Sequence, residues 1–76
     1  MKYSDGHDIL LGDRVCLGGE MTGTVVACIE EKKFGPGFLE EQWGYLMKGI
    51  LVNSEQAGVI YYEEPSVDLV LIKRTQ

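Results

Sequence analysis

The sequence predicts an all-β domain: five short strands wound into a small barrel, with one long loop over residues 31–42. Three observations predict it. Residues 11–26, L-G-D-R-V-C-L-G-G-E-M-T-G-T-V-V, alternate apolar and polar side chains on either side of a Gly18-Gly19 turn, which is the pattern of a β-hairpin. Further runs rich in β-branched and aromatic residues follow at 43–53, 59–63 and 69–72. Gly23 interrupts the second strand of the hairpin, as a strand must be interrupted where it bulges or bends around a barrel corner.

Taken in order, the chain opens with an arm. Asp5-Gly6 is a tight-turn dipeptide, so residues 3–9 form a small hairpin or hook, and Ile9, Leu10 and Leu11 lead into the core. His7 stands between Asp5 and Asp8, which invites metal binding or proton transfer. With no second histidine and no ligand cluster nearby, the turn reading prevails. Period-two burial puts Val15, Leu17 and Val25 on one face. The second strand is expected over residues 22–30, with Val25, Ala27 and Ile29 inward and Val26 and Cys28 on the opposite face. A turn near Gly19-Glu20 pairs Cys16 with a residue close to Thr24, which leaves Cys28 out of register for a bridge. Two free thiols in a reducing compartment are expected, since Cys-x11-Cys fits no zinc spacing.

Alternation disappears over residues 31–42, whose centre is G-P-G, and residues 39–43 supply one turn of helix. Phe34, Phe38 and Leu39 have two readings there: a lid over one end of the barrel, or an exposed contact surface framed by Glu40 and Glu41. Both hold together if the outer side of the lid faces a partner. The third strand is expected over residues 43–53, with Trp43, Tyr45 and Met47 on one face, Leu46, Ile50 and Val52 on the other, and a bulge at Lys48-Gly49. A hairpin closed by residues 53–58 leads into strand 59–63, where parity leaves open which of Tyr61 and Tyr62 is buried. Pro65 breaks that strand, Ser66, Val67 and Asp68 form a single 3₁₀ turn, and residues 69–72 form the last strand. Residues 73–76 read as a frayed basic tail. The expected core is Val15, Leu17, Val25, Ile29, Ile50, Val52, Leu69 and Leu71.

G-D-x-V, a glycine turn and then G-x-V-V, over residues 12–26, resembles the opening of SH3-like small barrels, including the KOW type. The 3₁₀ turn ahead of a short last strand resembles the same layout. The whole chain is similar to small bacterial proteins marked by Y-S-D-G, G-D-R-V, Q-W-G-Y-L and Y-Y-E-E-P. The resemblance implies an SH3-like barrel and no particular activity. Immunity proteins that neutralise toxins include compact acidic barrels of this size, and they supply a function by analogy.

Composition narrows the classes. Seventy-six residues make one domain, burying only about 60–65% of the surface that the unfolded chain exposes, so the core is small. Seven basic against twelve acidic side chains give a net charge of −5, which repels a phosphate backbone and favours a cationic partner. No apolar run suits a signal peptide or a membrane span, so the expected location is the cytoplasm, without a membrane partner.

Each kind of catalytic constellation fails on the sequence. There is no G-x-S-x-G elbow, no phosphate-cradling glycine loop and no metal-ligand spacing. The doublets Glu40-Glu41 and Glu63-Glu64 point to opposite faces if extended, so neither makes a facing acid–base pair. A barrel of this length also leaves little room for a pocket of ~300 Å³. The expectation is a non-enzyme with no cofactor and no metal.

Acidic residues stand beside aromatic ones, as in an interface that steers a basic partner and anchors it with rings. The expected partner-binding residues are Phe34, Phe38, Glu40, Glu41, Trp43, Tyr61, Tyr62, Glu63 and Glu64. The leading reading is a protein-binding module, of the immunity or inhibitor type, that neutralises a basic toxin. The alternatives are a KOW-like nucleic-acid- or ribosome-associated barrel, disfavoured by charge, and a structural or regulatory domain that works as an oligomer through exposed edge strands.

Overall fold

The computed structural model describes residues 1–64 and 67–74. The chain is mostly antiparallel β-sheet: β1 (Arg14–Gly18), β2 (Met21–Cys28), β3 (Lys33–Phe34), β4 (Ile50–Ser54), β5 (Gly58–Tyr62) and β6 (Val70–Lys73). One helical turn, α1 (Glu40–Trp43), runs into a 3₁₀ turn (Gly44–Leu46). The strand order is β5-β4-β2-β1-β6, and the two-residue β3 adds to β2. The sheet is not closed into a barrel, because β5 and β6 remain its two ends.

The opening hairpin forms over the expected residues, but its register differs: an irregularity between Cys16 and Gly18 sets Arg14, not Cys16, opposite Thr24. Gly18 and Gly19 take φ of 103° and 60°, values that side chains resist, and Gly18 then faces Met21 while Cys16 faces Thr22. Both thiols are free. Gly23 owes its identity to a close approach: a Cβ there would lie 2.6 Å from Cγ1 of Val52 and 3.0 Å from the Asn53 carbonyl oxygen.

The bulge of β2 lies elsewhere, between Val25 and Ala27 opposite Val52 and Leu51, and it overturns the expected inward set. The extra residue, Val26, resets the alternation, so that Val25 and Cys28 join one apolar cluster while Ala27 and Ile29 join another. The first cluster also holds Tyr3, Ile9, Val15, Ile50, Val52 and Leu69, with Leu17, Tyr62 and Leu71 partly buried against it. The second holds Leu51 and is covered by Val26, Phe34, Phe38, Trp43 and Leu46. β4 runs between the two, which is why Ile50, Leu51 and Val52 are all buried. An open sheet with apolar material on both faces replaces the single core of a barrel.

The third strand is shorter than expected. Residues 43–46 are helical: the Trp43 N–H donates to the Leu39 carbonyl and the Met47 N–H to the Gly44 carbonyl. In place of the bulge expected at Lys48-Gly49, positive φ at Met47 (67°) and Gly49 (102°) turns the chain into β4. A five-residue apolar and polar alternation fits one helical turn as well as a strand, and local contacts decided it. Of the two tyrosines, Tyr62 packs on the first cluster and Tyr61 is exposed. Val67 and Asp68 lie in a turn, while the rest of the expected 3₁₀ turn, Ser66, and Pro65 lie outside the described residues.

The expected frayed tail is also corrected for its first half. Lys73 belongs to β6, and Arg74 donates from Nε to Oδ1 of Asp13 (3.1 Å) and from Nη2 to the Asp8 carbonyl (2.8 Å). Asp13 is fully buried and also accepts from the Tyr3 hydroxyl (2.6 Å) and the Leu10 N–H (3.0 Å). This carboxylate ties the N-terminal arm, the start of β1 and the end of β6 together. The arm itself is a hook closed by Tyr3 N–H to the His7 carbonyl and Ile9 N–H to the Met1 carbonyl.

Candidate functional site

The segment following β2 builds one continuous feature. β3 pairs with the end of β2, setting Phe34 opposite Ala27. Gly35 then passes so close to β2 that its N–H donates to the Val26 carbonyl at 2.8 Å and a Cβ would meet that oxygen at 2.9 Å. Gly37 at φ 84° turns the chain back, and Phe38 and Trp43 meet with ring centroids 6.5 Å apart over the second cluster. The structure therefore brings together Phe34, Phe38 and Trp43 as a cover, the lid of the first reading.

The outer side of this cover carries the second reading. Leu39, Tyr45 and Met47 are 49%, 75% and 79% exposed, beside the exposed carboxylates of Glu40 and Glu41 in the first turn of α1. Among the described residues, neither Tyr45 nor Met47 packs against either apolar cluster. The remaining expected residues are divided by the sheet. Tyr61 faces Leu51 across the β4–β5 ladder, and its hydroxyl donates to the Lys48 carbonyl at 2.7 Å, holding the ring against Gly49. Tyr62 lies on the opposite face, its phenol pushed up by burial and then by Asp68. Glu63 and Glu64 are exposed in the bend after β5.

A cleft of about 380 Å³ opens between the β2–β3 turn and the α1–3₁₀ segment, where the length of the chain argued for little room. Ile29, Glu30, Lys32, Glu40, Gly44 and Met47 line it. Lys32 (φ 57°) and Met47 (φ 67°) are the two non-glycine residues with positive φ among those described, and both belong to this cleft. Left-handed backbone on such side chains costs on the order of 1 kcal/mol each and gathers at binding sites.

Of the exposed side chains, Leu39 belongs to the contact-surface reading of the loop, whereas the sequence does not single out Tyr45 or Met47 for that surface, nor Ile29, Glu30, Lys32 and Gly44 for a cleft. Tyr45 and Met47 read as strand residues in the sequence, and only the 3₁₀ turn that replaces the strand exposes them. Other charged groups serve structure. Arg14 donates to both carboxylate oxygens of Glu55 (3.2 Å for the longer contact) and to the Thr24 hydroxyl, and Thr22 Oγ1 donates to Glu55 at 2.6 Å. The Arg14 hydrogen bond first, then that of Thr22, pulls the Glu55 carboxyl down to about 2. Asp5 accepts from the His7 N–H and lies 3.0 Å from His7 Nδ1, an exposed turn contact. Among the described residues no group of three or more His, Cys, Asp or Glu could hold a metal ion, and no helix is long and apolar enough to cross a membrane.

The chain matches no protein-family profile, no curated protein sequence and no solved structure.

Proposed function

We propose that the protein is a non-catalytic binding module that engages a basic protein partner through the outer side of residues 39–47. One observation carries the reading. Leu39, Tyr45 and Met47 are exposed beside Glu40 and Glu41, on a segment whose inner side is anchored by Phe38 and Trp43. Exposed aromatic and methionine side chains on a held backbone suit protein contact, and the net charge of −5 steers a cationic partner toward them. Tyr61, whose hydroxyl reaches the Lys48 carbonyl, continues this surface toward β5, and Glu63 and Glu64 are exposed just after that strand. An immunity-type inhibitor of a basic toxin is the function of this kind that fits best.

The accompanying fold reading is an SH3-like arrangement left open between its end strands. Its support is the strand order, in which the last strand returns to pair with the first. A cytoplasmic location is supported by the two free thiols.

The test is to read the neighbouring open reading frames for a basic toxin, coexpress the chain with it and follow the purified pair by calorimetry; neighbours that encode no basic protein would overturn the toxin assignment. Tyr45→Ser with Met47→Ser should abolish both protection and binding while leaving the melt within a few degrees. Full binding by that double variant, or tight nucleic-acid binding by the unmodified chain at physiological salt, would overturn the reading. A second reading, self-association, is favoured by the exposed Val70 and Ile72 on the end strand β6. Light scattering that shows a dimer broken by Ile72→Lys would establish it.

A further inference from the structure

We propose that the cleft between the β2–β3 turn and the α1–3₁₀ segment is a socket for one lysine or arginine side chain of the partner; this rests on the basic-partner reading above. Its volume, about 380 Å³, is ample for a single long side chain. Ile29, which is buried, and Met47 offer apolar surface to the methylene stem, as long cationic side chains require when they enter a cleft. Glu30 and Glu40 line the same space, and neither carboxylate takes a hydrogen bond or ion pair among the described residues. A cation entering the cleft therefore meets acceptors that it need not win from another group.

The wall at Gly44 decides the fit. Gly44 has ordinary helical angles (φ −63°, ψ −21°), so its backbone does not require glycine. A Cβ there would lie 3.1 Å from Cγ of Glu40, and the absence of a side chain leaves the Glu40 carboxylate room beside the cleft. Lys32 is the one ammonium in the lining, set against two carboxylates, and it opposes a cationic guest.

These features make the test independent of folding. The probes are the capped tripeptides acetyl-Gly-Arg-Gly-amide and acetyl-Gly-Leu-Gly-amide, followed by amide and methyl NMR shifts of the intact chain. The arginine peptide should give saturable shifts at Ile29, Gly44 and Met47 that weaken with salt, and the leucine peptide should not. Gly44→Leu, helix-compatible and neutral in charge, should weaken arginine-peptide binding at least about tenfold, and Lys32→Gln should strengthen it. Equal shifts with both peptides would make the cleft an apolar site and overturn the proposal. Undiminished arginine-peptide binding by Gly44→Leu, with shifts centred on Glu63 and Glu64, would overturn the socket while leaving the basic-partner reading intact. No shift with either peptide would also overturn the socket, and the toxin calorimetry then decides the broader reading by itself.

Discussion

Replacing Tyr3 by Phe tests the buried junction on which both ends of the chain converge. The Tyr3 hydroxyl donates to Oδ2 of Asp13 at 2.6 Å, and both groups are buried. A hydrogen bond to a charged group contributes about 1.5–3 kcal/mol. Asp13 keeps the Leu10 N–H at 3.0 Å and Arg74 Nε at 3.1 Å in the variant, so the carboxylate is not orphaned and the loss belongs near the lower end of that range. A domain this small has a total stability of only about 3–5 kcal/mol, so Tyr3→Phe should remove a third to a half of it. With a urea slope of about 1 kcal/mol/M, the midpoint should fall by roughly 1.5 M. The same variant has a signature in alkali. Burial first, and then the hydrogen bond to Asp13, holds the Tyr3 phenol above the ordinary tyrosine value of 10.0. The folded chain keeps this proton where the unfolded chain loses it, so the contribution is complete below pH 10 and declines as pH rises above it, by about 1.4 kcal/mol per pH unit. The gap between the parent and Tyr3→Phe in urea midpoint should therefore narrow above pH 10. A midpoint unchanged at neutral pH, or parallel pH curves for the two proteins, would refute the reasoning.

The two thiols should separate by reactivity: Cys16 is half-buried, whereas Cys28 is buried and its thiol is pushed up to about 11 by burial, then by Glu31 and Asp13. Cys16 should react first with a thiol reagent in the native protein and both should react in denaturant without reductant; no reactive thiol in denaturant would reveal a bridge. Gly23→Ala should destabilise by about 1–3 kcal/mol in urea titration, since its Cβ would overlap Val52 and approach the Asn53 carbonyl; an unchanged midpoint would place β4 further from β2 than described. Glu55 contributes stability that is complete above pH 4.5 and lost as pH falls through about 2. Glu55→Gln should flatten that acid limb in low-salt melts between pH 2 and 5, with a smaller difference at high salt because the pair is exposed.

Period-two alternation and glycine placement were enough to read the all-β class, the β1–β2 hairpin, the β4–β5 hairpin and most of the core, because strand burial and positive φ are local properties. Asp13 stood in the sequence as an acid among I-L-L-G and R-V, but only the fold could give it Tyr3 and Arg74, from opposite ends of the chain, as partners. The face exchange at Val26 was likewise invisible. A bulge depends on which residue of the neighbouring strand stands opposite, and two-residue periodicity continues formally through it. For the candidate surface, the sequence marks the acids and aromatics of residues 34–43 as one neighbourhood. Tertiary contacts then sorted them, turning Phe34, Phe38 and Trp43 onto a second apolar cluster and leaving Leu39, Tyr45 and Met47 outside. That division follows from the helical turn at 40–46. Its local hydrogen bonds put Trp43 on one side with Leu46, which a strand would have separated, and parted it from Tyr45 and Met47, while its approach to the β2–β3 turn created the cleft.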